Sequence, residues 1–91
     1  MSNEILIIDD NVDIRELISG ILKDKGFSVR LAANFNQAIN EINKKIPDVS
    51  IIDVKLDKGD NDGIDLLNHI KKIDEDVPVI MISGHANVQM A

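Results

Sequence analysis

The feature that most narrows the fold is an alternation. Four short apolar runs, "EILIID" (4–9), "FSVRLA" (27–32), "VSIID" (49–53) and "PVIMIS" (78–83), are separated by longer amphipathic stretches within 91 residues. Strand, helix and strand in that order describe βαβ units, which set strands parallel in one sheet. The first, third and fourth runs are almost continuously hydrophobic, as expected of strands covered on both faces. The pattern predicts an α/β fold built on a parallel sheet.

The stretches between the runs read as helices. Ile14, Leu17, Ile18, Ile21 and Leu22 recur at the spacing of one helical face, and Gly26 is placed to end that helix as its C′ residue. A second helix, about 35–45, turns Ala38, Ile39 and Ile42 inward and stops before Pro47; a third, about 64–73, turns Leu66, Leu67, Ile70 and Ile73 inward. Asn87 is a cap-like residue and predicts one more helix starting there. With no internal repeat, linker or low-complexity tract, residues 1–91 read as one domain.

Composition sets the chemistry available. A hydrophobic content of 44% with 29% charged residues is that of a globular chain, and with only 2% aromatic residues the core must rest on Ile, Leu and Val. A net charge of -6 argues against direct nucleic-acid binding, which needs a basic face, and suits cations. The absence of cysteine removes disulfides and thiolate metal sites. No apolar run approaches the roughly 18 residues of a membrane span. The opening "MSNEIL" has no basic signal region, so a cytoplasmic location is expected.

The chemistry centres on "LIIDDN" (6–11), where an apolar run ends in two adjacent carboxylates, Asp9 and Asp10. In an open parallel sheet, ligands bind beyond the carboxyl ends of the strands where the strand order reverses. For the order 2-1-3-4 that point lies between the first and third strands, and Asp53 closes the third. Three carboxylates then converge from distant parts of the chain. Two unit charges about 4 Å apart repel by about 4 kcal/mol at an effective dielectric of about 20, so the set calls for a cation. Hard oxygen donors without nearby His or Cys point to Mg²⁺ rather than Zn²⁺. Taken singly, each Asp reads equally well as a strand-ending or capping residue. The fourth run ends in "SGH" (83–85), where Ser83 offers a hydroxyl and Gly84 an open backbone N–H to an anionic oxygen, or the two simply form a turn. His69 reads as a surface residue of the third helix, and His85 has no assignable role.

Together "ILIIDDN", "SIIDVKL", "DGIDLL" and "VIMISGHANVQMA" resemble the receiver domain of bacterial two-component response regulators, from Glu4 to Ala91. The resemblance implies a flavodoxin-like (CheY-like) fold and a phosphoryl group accepted on Asp53 from a sensor histidine kinase. Mg²⁺ would be held by Asp10, Asp53 and the main-chain carbonyl of Lys55, with Asp9 assisting through a water. Ser83 would reach the phosphoryl group, with the Gly84 N–H beside it, and move the following loop as the switch; transcription control would be the output of the parent protein. The domain is therefore expected to be a switch rather than a turnover enzyme. Two departures stand out: "DKGDNDG" (57–63) lacks the proline common after the phosphoacceptor, and the chain is expected to stop before most of the fourth helix, the fifth strand with its Lys, and the fifth helix. An aspartyl phosphohydrolase is the competing reading, but it calls for an acid two residues after the nucleophile, where Lys55 stands. An interaction module without phosphorylation is the third. The missing segment also predicts an open edge on the fourth strand and an apolar surface over the first helix and strands one, three and four. Self-association, as a dimer or larger assembly, follows from that surface.

Overall fold

The first short apolar run becomes a strand hidden on both faces, and the later ones bury mainly one face. The computed structural model describes residues 3–54, 56, 62–82 and 88–90. Chain order is β1 (Glu4–Ile8), α1 (Val12–Asp24), β2 (Ser28–Ala32), α2 (Phe35–Lys44), β3 (Val49–Asp53), α3 (Asp62–Ile73), β4 (Val79–Ile82) and β5 (Val88–Met90). The sheet order is β2-β1-β3-β4-β5, with the first four strands parallel, as the alternation predicts. The order reverses between β1 and β3.

Local chemistry sets the helix ends. The Asn11 side chain accepts the backbone N–H groups of Asp13 and Ile14 at 2.9 and 3.3 Å, satisfying donors that the first turn of α1 leaves free. At the other end Gly26 takes φ 93, a left-handed conformation that favours glycine. Its N–H donates to the Lys23 carbonyl at 3.0 Å and that of Phe27 to the Leu22 carbonyl at 3.1 Å, closing the helix as expected. For α2, Asn34 Oδ1 accepts the Gln37 N–H at 2.8 Å, while Gln37 Oε1 accepts that of Ala33 at 2.8 Å. The far end of α2 is held by Arg30 of β2, which donates to the carbonyls of Glu41 and Lys45 at 2.8 and 2.6 Å and sits 3.0 Å from the Glu4 carboxylate.

The main core lies between one sheet face and the pair α2 and α3. Leu6, Ile8, Ile52, Val79 and Met81, at alternate strand positions, meet Ala38, Ile42, Leu66 and Ile70. Ser50 shares that face, fully buried, and donates its hydroxyl to the Leu6 carbonyl at 3.3 Å, so its burial leaves no unpaired group.

The other face departs from expectation. Here α1 packs on β1 and β2, burying Ile5 and Ile7, so β1 is covered where an open face was expected. Val49, Ile51, Ile80 and Ile82 remain half-buried, with no other helix on that side among the described residues. Nor does α1 bury its whole apolar stripe: Ser19 is its buried residue, while Leu17 and Ile21 are 61% and 49% exposed. The stripe records which side chains are apolar, but the sheet covers only the flank around Ser19. Ile73, also expected inward, is half exposed in the last turn of α3.

The helix expected from Asn87 does not form. Residues 88–90 are a strand antiparallel to β4, with Ile80 opposite Met90 and Ile82 opposite Val88. The outer edge of β4 offers a row of unpaired backbone groups, and pairing with it outweighs a single capping signal. The expected open edge on β4 is thereby closed, a second correction from one cause.

Candidate functional site

β1 ends at Ile8, and the next N–H, of Asp9, donates to the Ala32 carbonyl at 3.1 Å, carrying the sheet pairing one step past the strand. Asp9 is thereby buried at the carboxyl edge of the sheet, and Asp10 beside it is exposed. Asp53, the last residue of β3, is also buried. One carboxylate oxygen from each of Asp9, Asp10 and Asp53 lies within 4.8 Å of the others. The convergence expected from the switch point is therefore present.

Such a cluster is repulsive by itself. Two unit charges at the outer limit of 4.8 Å repel by roughly 3.5 kcal/mol at an effective dielectric of about 20, and closer ones by more. Burial pushes the Asp9 carboxyl above the usual carboxylate range, and the charge and hydrogen bond of Asp10 push it the same way. The Asn11 N–H, which donates to Asp9 Oδ1 at 2.8 Å, opposes that shift, as does the charge of Arg15. Three hard oxygens at this spacing, with neither His nor Cys in the group, fit a small divalent cation completed by water.

Three expected contributors cannot be placed. Lys55, Ser83 and Gly84 lie outside the described residues, as do His85 and all of 57–63 except Asp62 and Gly63. Ser83 and Gly84 follow Ile82, whose Cα is paired with that of Asp53 in the β3–β4 register. His69 is on α3 away from the cluster, its ring nitrogen 3.1 Å from Asn43 Oδ1 of α2.

The structure adds two residues that spacing alone does not single out. Arg15 Nη1 donates to the Asp9 main-chain carbonyl at 2.6 Å, reaching back from the first full turn of α1. Gly63, in the first turn of α3, donates its N–H to the Val54 carbonyl at 3.0 Å. A Cβ at Gly63 would fall 2.5 Å from the Asp53 carbonyl oxygen and 2.8 Å from Val54 Cα, so only glycine lets α3 approach the end of β3 this closely. In the sequence Gly63 closes the turn-rich stretch 57–63 and reads as a loop residue; only its place inside α3, where glycine costs about 1 kcal/mol relative to alanine, points to a packing reason. Gly63→Ala is expected to destabilise the fold by about 1–3 kcal/mol and to weaken any ligand binding at Asp53. Urea unfolding checks the first effect, and unchanged stability would mean that α3 moves aside freely.

The response regulator receiver domain model matches residues 5–91. The nitrogen assimilation regulatory protein NtrX of Azorhizobium caulinodans is 43% identical over 91 residues, covering the whole chain and 20% of that protein. The chain thus spans about a fifth of the length of the curated NtrX relatives it matches. Sporulation initiation phosphotransferase F of Bacillus subtilis is 34% identical over 99% of the chain and 71% of its own length. Among solved structures, the receiver domain of NtrX from Brucella abortus superposes with a TM-score of 0.80 at 44% identity, over 91% of this chain and 69% of that one.

Proposed function

The chain belongs to the receiver domain family of response regulators, and from that premise we propose that Asp53 is the phosphoacceptor for a sensor histidine kinase. The observation that carries this reading is the position of Asp53 at the carboxyl end of β3, within 4.8 Å of two further carboxylates. One Asp53 oxygen attacks the phosphorus of a phosphohistidine. The P–N bond breaks, a P–O bond forms to give an acyl phosphate, and the leaving imidazole retains the electron pair and takes up a proton.

In this reading Asp10, Asp53 and the main-chain carbonyl of Lys55 hold Mg²⁺, with Asp9 assisting through a water. When bound, Mg²⁺ neutralises the carboxylates and stabilises charge on the phosphoryl oxygens. Ser83 donates its hydroxyl, and Gly84 its N–H, to the phosphoryl group. Asp9, fixed by bonds to its N–H, its carbonyl and its carboxylate, supplies the rigid wall of the site.

The domain acts as a switch, not a turnover enzyme, in the cytoplasm, and its output is transcription control by other parts of a longer protein. Relatives named as the regulators NtrX and PhoB support that output. Among the described residues no helix is long and apolar enough to cross a membrane. The net charge of -6 speaks against direct nucleic-acid binding by these residues. A phosphohydrolase is disfavoured by Lys55 at the position where a general acid is wanted. Incubation with acetyl phosphate and Mg²⁺, read by intact mass, tests the proposal. One added phosphoryl group per chain supports it, and an unmodified chain leaves only an interaction module.

We also propose that two copies associate through the half-covered side of the sheet. Val12, Leu17 and Ile21 of α1 are about half exposed or more, and Ile51, Ile80 and Ile82 are only half-buried. Contiguous apolar surface beyond a few hundred Å² is uncommon on monomers. Light scattering should show mass rising with concentration, and Leu17→Glu should lower it. A monomer across the micromolar to millimolar range would refute this.

A further inference from the structure

We propose that Arg15 is a positioning residue of the acidic site: by holding the main-chain carbonyl of Asp9, it fixes the peptide joining Asp9 to Asp10, and hence the direction from which both carboxylates meet a cation. The inference rests on the reading of Asp9, Asp10 and Asp53 as a metal site. Asp9 is tied at three points. Its N–H donates to Ala32 of β2, its carboxylate accepts the Asn11 N–H, and its carbonyl accepts Arg15 Nη1 at 2.6 Å. The first two bonds fix the start of the turn and one carboxylate. The third acts on the peptide plane that leads into Asp10, whose side chain is exposed.

The base of this tether is itself rigid. Asn11 caps α1 through Asp13 and Ile14, and the Arg15 N–H donates to the Asn11 carbonyl at 3.1 Å, so the helix register sets where the guanidinium arrives. Arg15 thus links the cap of α1 to the Asp9–Asp10 peptide, and the acidic pair is oriented by the helix that follows it.

Charge and geometry predict opposite signs, which makes the role testable. A guanidinium beside a cation site repels the cation, so on charge alone its removal tightens Mg²⁺ binding. Loss of an outer partner that orients ligands instead weakens metal binding, typically 10–100-fold. The 91-residue chain, Arg15→Met and Arg15→Lys are titrated with Mg²⁺ alone by calorimetry, with folding of each checked by circular dichroism. The expected result is binding about tenfold weaker in Arg15→Met and intermediate in Arg15→Lys, which keeps the charge and one donor. If Arg15→Met does not fold, Arg15→Gln, with an amide too short to reach the Asp9 carbonyl, takes its place with the same expectation. Equal or tighter binding in the neutral variant overturns the role of Arg15 alone. A native chain that binds no Mg²⁺ overturns the metal reading and this inference together.

Discussion

Asp53→Asn is expected to leave the chain folded and to abolish the mass gain on incubation with acetyl phosphate and Mg²⁺. The substitution preserves shape at a buried position at the end of β3, so the core between the sheet and α2 and α3 is untouched. It removes the nucleophile, because a carboxamide oxygen cannot form a stable acyl phosphate. It also removes one of three mutually repelling charges within 4.8 Å. Measured without Mg²⁺, the variant should therefore be more stable than the native chain, since repulsion is relieved while no core contact is lost. A kinase-blind variant with higher stability is the signature of a charge retained for chemistry. If Asp53→Asn still gains a phosphoryl group, the acceptor is another carboxylate and the assignment fails.

Asp10→Asn is expected to eliminate the stabilisation that Mg²⁺ confers. A cation bound only by the folded state stabilises by mass action, about 2.7 kcal/mol at a concentration 100 times its dissociation constant. Asp10 is the exposed member of the cluster, so its loss disturbs packing least and isolates the effect on the metal. Thermal melts with EDTA and with saturating Mg²⁺ check this, and an equal Mg²⁺ response in the variant would place the metal elsewhere. A pH dependence of defined sign accompanies it. The Asp9 carboxyl is raised above its unfolded value, chiefly by burial and further by Asp10, so in the metal-free chain its charged form penalises folding at neutral pH. That penalty is relieved as pH falls through the raised value. With Mg²⁺ bound the sign reverses, because protonating Asp9 competes with the cation. On mild acidification the metal-free and Mg²⁺-loaded stabilities should converge.

Much of this protein was legible without coordinates. The alternation of Ile- and Val-rich runs with amphipathic stretches determined a parallel sheet, because each period matches one kind of element. Its strand order then brought Asp9, Asp10 and Asp53 together, although Asp10 and Asp53 are 43 positions apart, since ligands gather where the order reverses. Gly26 as the end of α1 was equally local, a matter of one residue's φ. What the tertiary structure alone decided involves partners that periodicity does not name. Leu17 and Ile21 are apolar at helical spacing, yet their exposure depends on which neighbour covers that flank of α1. Residues 88–90 follow a helix-capping signal but form a strand, because the unpaired edge of β4 outweighs a weak local preference. Arg15 on the Asp9 carbonyl and Gly63 against Asp53 are contacts of specific atoms at 2.6 Å and, for a hypothetical Cβ, 2.5 Å. Pattern fixes which face a residue occupies; only packing in three dimensions fixes which atom it touches.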